Sequence, residues 1–445
     1  MTSALFAVVS LFISAIMLAY LPIVKGLLQV SCRLVQVGYK LAPMNNSERQ
    51  QKFISLAQVF RPSGPVDKGD LFQGRTGQIV QMAQTIVTPG RHGVIYGERG
   101  VGKTSLSAVS SELFKVRTIR VNCDEGDNYA SIWTKVADEI TEQARVRGHD
   151  EEVELVAEAE AQLTSDDISP ESVRQFLRTL SPSLELLIFV DEYDQVCDPG
   201  TGPLMANTIK TLSDHLVPVT VCFIGVADNV EDLISGHLSI ERNLEQVSMP
   251  RMTLDEINLI IERGYESVGL TVTSEAKRHL KELPQGLPHF AHLLAQKAGE
   301  AAVLGGTTEV DMTHVRSAVR SAISSSEASL TQAYMNAITS PHRNALYGNV
   351  LMACALAKID DLGYFTPGDL RVPLGKIMDQ NVEIDRFSRH LIKFCNERGP
   401  ILERTGGANN WRYRFRNPRM RPYIIMRAID EGFEKVFLAS DDDSI

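Results

Sequence analysis

Residues Gly97-Glu98-Arg99-Gly100-Val101-Gly102-Lys103-Thr104 set glycines, a lysine and a hydroxyl at a spacing suited to holding phosphate. They follow the apolar run 93–96 and open a helix at Thr104. When G-x-x-x-x-G-K-[ST] joins a strand to a helix, backbone N–H groups of the loop and of the first helical turn, here through Ser105, cradle phosphates. Lys103 then reaches the β- and γ-phosphates, and the Thr104 hydroxyl reaches Mg²⁺. A second apolar run, 186–190, ends in Asp191-Glu192. Such a strand delivers both carboxylates beside the same phosphates. Asp191 is suited to the Mg²⁺ shell, directly or through water, and Glu192 to orienting and deprotonating the attacking water. The chemistry is Mg²⁺-dependent hydrolysis of a nucleoside triphosphate; a switch that only binds ATP keeps most of these residues, and Glu192 favours turnover.

Both motifs need a parallel sheet to bring them together. Strand patterns at 93–96, 118–122, 186–190, 219–225 and 246–249 alternate with helical segments, so the spacing predicts an α/β fold covered on both faces. A helical stretch at 78–86 precedes the first strand. The acidic stretch 150–160 reads as a solvated helix face. From Thr253 the pattern is purely helical, over 253–268, 274–283, 287–304 and 311–323, which predicts a lid. The expected organisation is an N-terminal segment at 1–44, a Pro/Gly-containing linker at 45–70 and a core at 71–252. A lid at 253–324, a C-terminal domain at 325–437 and an acidic tail at 438–445 complete it.

The chain has 445 residues and a net charge of -10, enough length for two or three domains and too acidic for a general nucleic-acid coat. Its six cysteines are scattered without a C-x-x-C pair and mostly sit in apolar patterns, which reads as reduced core thiols. Residues 4–24 carry no charge and are long enough to span a bilayer. Lys25, Arg33 and Lys40 follow, so the positive-inside rule puts the body in the cytoplasm behind a membrane anchor; an apolar helix packed on protein is the alternative.

The C-terminal domain holds the one local basic excess. From Glu383 to Arg421 there are ten Lys or Arg against four acids, a balance of +6. Helix 385–397 carries Arg386, Arg389 and Lys393, and a hairpin signal at Gly406-Gly407-Ala408-Asn409-Asn410 leads into Trp411 to Phe415. Alternation places Arg412, Arg414 and Arg416 on one strand face, with Trp411, Tyr413 and Phe415 on the other. Such a wing suits DNA phosphates while the helix enters the major groove; protein docking is the competing use.

With these motifs, a fourth strand ending Phe223-Ile224-Gly225-Val226-Ala227-Asp228-Asn229, and Ser239-Ile240-Glu241-Arg242, the chain resembles AAA+ ATPases over roughly residues 70–325. The initiator clade, of origin-recognition and cell-division-cycle type, and the related transposition regulators match best, including their G-R element at Gly74-Arg75. The resemblance implies ATP rather than GTP, and a sensor for the γ-phosphate at Asp228 or Asn229. It also implies an arginine finger at Arg242 offered to a neighbouring subunit, hence a homo-oligomer on ATP binding. His289, in Gly286-Leu287-Pro288-His289, stands where that clade's lid supplies a phosphate-sensing arginine. The order helix, helix, helix and hairpin after residue 325 resembles the clade's winged helix. Two functions follow: an ATP-dependent switch that engages DNA, or a membrane-tethered signalling NTPase of the STAND type whose winged helix binds protein.

Overall fold

A computed structural model describes residues 44–62, 64, 74–163, 168–180, 185–227, 242–340, 346–407 and 410–433. In chain order the first elements are α1 (Asn46–Val59), α2 (Thr76–Val87), β1 (His92–Tyr96), α3 (Lys103–Phe114), β2 (Arg117–Asn122), α4 (Tyr129–Arg147), α5 (Asp150–Glu160) and α6 (Pro170–Leu180). They continue through β3 (Leu186–Asp191), α7 (Thr201–Asp214), β4 (Val219–Gly225) and β5 (Leu244–Ser248). The five strands form one parallel sheet in the order β2-β3-β4-β1-β5. Every residue of β3 and β4 is buried, which is why both read as unbroken apolar runs. Because β4 lies between β1 and β3, its C-terminal end emerges between the phosphate loop and Asp191. Asp228 and Asn229 follow that end and lie outside the described residues.

Trp133, Ile140, Phe176 and Ile209 cover one face of the sheet from α4, α6 and α7. Helix α5 does more than present acids to water: Val156 and Ala159 are buried, and Glu152 pairs with the buried Arg117 side chain. The opposite sheet face shares a core with the lid, α8 (Leu254–Val268), β6 (Thr271–Val272), α9 (Ser274–Glu282), α10 (Pro288–Gly305), β7 (Glu309–Val310) and α11 (Met312–Ser324). The parallel pair β6–β7 corrects the purely helical expectation; two-residue strands are too short to show a period of two.

The linker expectation is also corrected. Residues 46–59 form α1, started by Asn45, whose side chain accepts from the Glu48 N–H at 2.8 Å. Leu56 and Phe60 are fully buried on the lid, and the Phe60 ring meets Tyr265 edge-on at 5.4 Å. Gly264 leaves the space: a Cβ there would lie 2.3 Å from Phe60. Lys52 Nζ donates to the Val268 carbonyl at 2.6 Å. A mostly polar helix with two apolar anchors leaves little periodic signal.

The C-terminal module is α12 (Ala328–Ile338), α13 (Tyr347–Leu356), α14 (Arg371–Met378), α15 (Ile384–Asn396), β8 (Leu402–Thr405), β9 (Arg412–Phe415) and α16 (Met420–Asp430). Strands β8 and β9 pair antiparallel from Leu402↔Phe415 to Thr405↔Arg412, and Phe365 bridges Tyr413. Its core is continuous with that of the lid, with α16 packed on α11 and α13. Cys123, Cys222, Cys354 and Cys395 are buried free thiols and Cys197 is exposed. Residues 4–24 lie outside the described residues, among which no helix is long and apolar enough to cross a membrane.

Candidate nucleotide site

The loop after β1 turns on three glycines. Gly97 has φ +147°, and a Cβ there would fall 2.4 Å from the Met249 carbonyl oxygen; Gly100 and Gly102 have φ +89° and +99°. A side chain at any of these would be strained, so only glycine lets the loop wrap inward onto α3. Lys103, 9% exposed, lies at the start of that helix and donates from Nζ to the carbonyls of Gly97 (2.9 Å) and Glu98 (3.0 Å). Burial lowers its pKa to about 8, against the pull of Asp194, Asp191 and Glu98.

Across the sheet, Thr104 Oγ1 donates to Asp191 Oδ2 at 3.2 Å, while Asp191 Oδ1 accepts from the Glu192 N–H at 2.9 Å. A hydroxyl and a carboxylate this close are hard oxygen donors of the kind Mg²⁺ takes, so the residues present fit that ion. Glu192 has φ 55° and ψ 33°, a left-handed conformation that breaks the strand beside the cleft it lines.

Sequence reading missed several supports. Asp194 Oδ1 accepts from the Val226 N–H at 2.8 Å, tying the end of β3 to the end of β4. Glu98 holds Arg251 through two hydrogen bonds of 2.7 and 2.8 Å, and Arg251 reaches the lid carbonyl of Gln285 at 3.0 Å. Arg75, assigned only by resemblance, is 2% exposed and donates to the carbonyls of Pro250 (2.6 Å) and Val101 (3.3 Å), bracing the loop from behind.

These groups face a cleft of about 820 Å³. The loop residues Arg99, Gly100, Val101, Gly102, Lys103, Thr104 and Ser105 line one side with Asp191 and Glu192. The other side carries Arg61 and Pro62 after α1, Met252 just before the lid, Ile260, Pro288, His289 and His292 of the lid, and Arg419 before α16. His289 reaches the cleft, but its Nδ1 lies 2.6 Å from the Pro62 carbonyl oxygen, which can only accept. Nδ1 therefore carries the proton, and the neutral ring turns an acceptor, Nε2, to any other partner. Burial, with Arg419 nearby, holds the His289 pKa below its ordinary value. In this arrangement His289 lines the cleft and joins the lid to the segment after α1.

Arg242 lies outside this cleft, on a surface with Thr88 and Arg91; its side chain is 75% exposed and 3.9 Å from Asp214. In the C-terminal module, Arg386, Arg389 and Lys393 share one face of α15, the two arginines exposed and the lysine half-buried. The wing arginines already have partners within the chain. Arg412 pairs with Asp360 and Arg414 with Glu403, both guanidinium groups stack on Tyr364 at 4.6 and 4.5 Å, and Arg416 donates to the Leu402 carbonyl at 3.3 Å. The expected arginine-lined strand face exists in register, with its first two charges neutralised within the chain.

Residues 87–234 match the family described as AAA domain. No curated protein matches the chain. Among solved structures it is similar to Cdc6p from Pyrobaculum aerophilum, at 15% identity over 86% of this chain and 97% of that one, with a TM-score of 0.44. It is similar to a Walker-type ATPase of Pyrococcus abyssi, at 15% identity over 82% and 99% of the two chains, with a TM-score of 0.47. The Aeropyrum pernix Orc1 protein in complex with DNA gives 15% identity over 91% and 97%, with a TM-score of 0.35. The stretch 87–234 that matches the AAA domain holds the phosphate loop and the Asp191 strand end.

Proposed function

We propose that this chain is a Mg²⁺-dependent ATPase switch of the initiator-like AAA+ type. Its nucleotide state controls homo-oligomer assembly and engagement of DNA through a C-terminal winged helix. The observation that carries the reading is the 3.2 Å Thr104–Asp191 contact beside the buried Lys103 ammonium. Thr104 and Asp191 would hold Mg²⁺, which would supply neutralisation of phosphate charge. Lys103 exchanges its two loop carbonyls for phosphate oxygens, and Pro62, Val101, Met252, Ile260 and Pro288 offer an apolar wall for the base. Glu192 takes the proton of the attacking water, with Asp228 or Asn229 sensing the γ-phosphate. Arg242, exposed and outside its own cleft, is available to a neighbouring subunit's nucleotide. Arg386, Arg389 and Lys393 on α15 are the DNA-facing group, with Arg416 at the wing; Arg412 and Arg414 would first have to leave their internal partners.

That internal pairing supports a second reading, a STAND-type NTPase whose winged helix docks protein. In either case residues 4–24 anchor a cytoplasmic body to the bilayer in this proposal. The test is ATP hydrolysis by the full chain with and without duplex DNA, across protein concentration. Cooperative, DNA-stimulated turnover supports the switch; tight ATP binding with slow turnover and no DNA response supports the signalling reading, and absence of ATP binding removes both.

A further inference from the structure

Resting on the nucleotide reading above, we propose that Arg419 is the cation through which the C-terminal module binds the nucleotide's phosphates, and that Glu327 is its partner when the site is empty. Arg419 precedes α16, more than three hundred residues after the phosphate loop, yet lines the same cleft as Lys103, Thr104 and Asp191. Its side chain is about one-third exposed and pairs through Nη1 with Glu327, the residue that caps α12 at the junction between lid and C-terminal module. The lid leaves an opening for such a group. His289 stands on the same wall, but its ring proton is committed to Pro62, so His289 has no hydrogen to give a phosphate. An arginine is always charged and presents several donors in a fork that matches phosphate oxygens. A half-exposed carboxylate is a weak rival for it, because ion pairs open to water contribute little.

The exchange gives the switch a physical link. Phosphate drawing Arg419 off Glu327 breaks a tie between the lid junction and α16, so nucleotide binding and the placement of the C-terminal module become coupled, and by linkage each biases the other.

The experiment is titration of the full chain with Mg-ATP, comparing wild type, Arg419→Ala, Glu327→Gln and the double variant, with thermal unfolding as a check on folding. Arg419→Ala is expected to weaken ATP by at least about tenfold, the loss of a charge-assisted hydrogen bond. Glu327→Gln is expected to tighten ATP severalfold by releasing the arginine, and that gain is expected to vanish in the Arg419→Ala background. A pair that merely held the fold together would move affinity in the same direction in both single variants. Wild-type affinity in Arg419→Ala, loss of affinity in Glu327→Gln, or a Glu327→Gln gain that persists without Arg419 would overturn the assignment while leaving the nucleotide site intact. Failure of the wild-type chain to bind ATP would instead remove the reading beneath it. Should Arg419→Ala fail to fold, the direction of the Glu327→Gln change still decides.

Discussion

Replacing Lys103 by methionine separates what the buried ammonium does for the nucleotide from what it does for the fold. Lys103 is 9% exposed, and burial brings its pKa from 10.5 to about 8. That difference of about 2.5 pKa units corresponds to about 3 kcal/mol against the charged form at neutral pH. Methionine keeps the length and apolar stem, removes the charge, and leaves the Gly97 and Glu98 carbonyls without this donor. Those two lost charge-assisted hydrogen bonds cost about 3 kcal/mol or more together. The two effects nearly offset, so the nucleotide-free variant is expected within about 1 kcal/mol of wild type, or about 2–4 °C in melting temperature for a domain of this size. Wild type, by contrast, gains about 2.7 kcal/mol from ATP at a hundred times its Kd, and the variant is expected to gain nothing.

The sign of the pH dependence follows from the same shift. The folded pKa lies below the unfolded value, so between about pH 8 and 10.5 the unfolded chain binds more protons, and the Lys103 burial cost is relieved as pH rises through that window. The stability of Lys103→Met relative to wild type is therefore greatest below about pH 8 and falls as pH rises to about 10.5. Because phosphate needs the ammonium, wild-type ATP affinity should fall about tenfold per pH unit above about 8. Thermal unfolding of both full chains with and without Mg-ATP at pH 7 and 9 reads all of this. A variant that melts several degrees lower without nucleotide, or that keeps the ATP-dependent shift, would refute the reasoning.

Glu192→Gln should retain ATP binding and lose turnover, measured as kcat beside nucleotide affinity; an unchanged kcat removes Glu192 from the general-base role. Phe60→Ala should destabilise the chain by about 3–5 kcal/mol in denaturant unfolding, because the ring fills the space over Gly264 and against Tyr265; a near-neutral result would detach α1 from the lid. Reversing charge on α15 with Arg386→Glu and Arg389→Glu should weaken duplex binding and flatten its salt dependence, whereas Arg412→Ala should do less because Asp360 already holds that arginine. Equal losses in the two experiments would place the wing on the phosphates after all.

The loop at Gly97–Thr104 and the carboxylates after Val190 were legible in the chain because their spacing encodes a local event, a strand ending in a turn that opens a helix. Strands β3 and β4 were legible for a similar reason: a strand buried on both faces must be apolar throughout, and Leu186 to Val190 and Val219 to Gly225 are nearly so. What the chain could not express locally are pairs made between distant segments. The Pro62 carbonyl decides which nitrogen of His289 keeps its proton across 227 positions, and Glu327 meets Arg419 across 92. Asp360 closes on Arg412 across 52 positions, pairing a charge on the basic face within the chain. In each case residue type and helix or strand phase were readable in advance. The partner was not, because a hydrogen bond or ion pair has direction and short range, and only tertiary packing brings its two ends within reach.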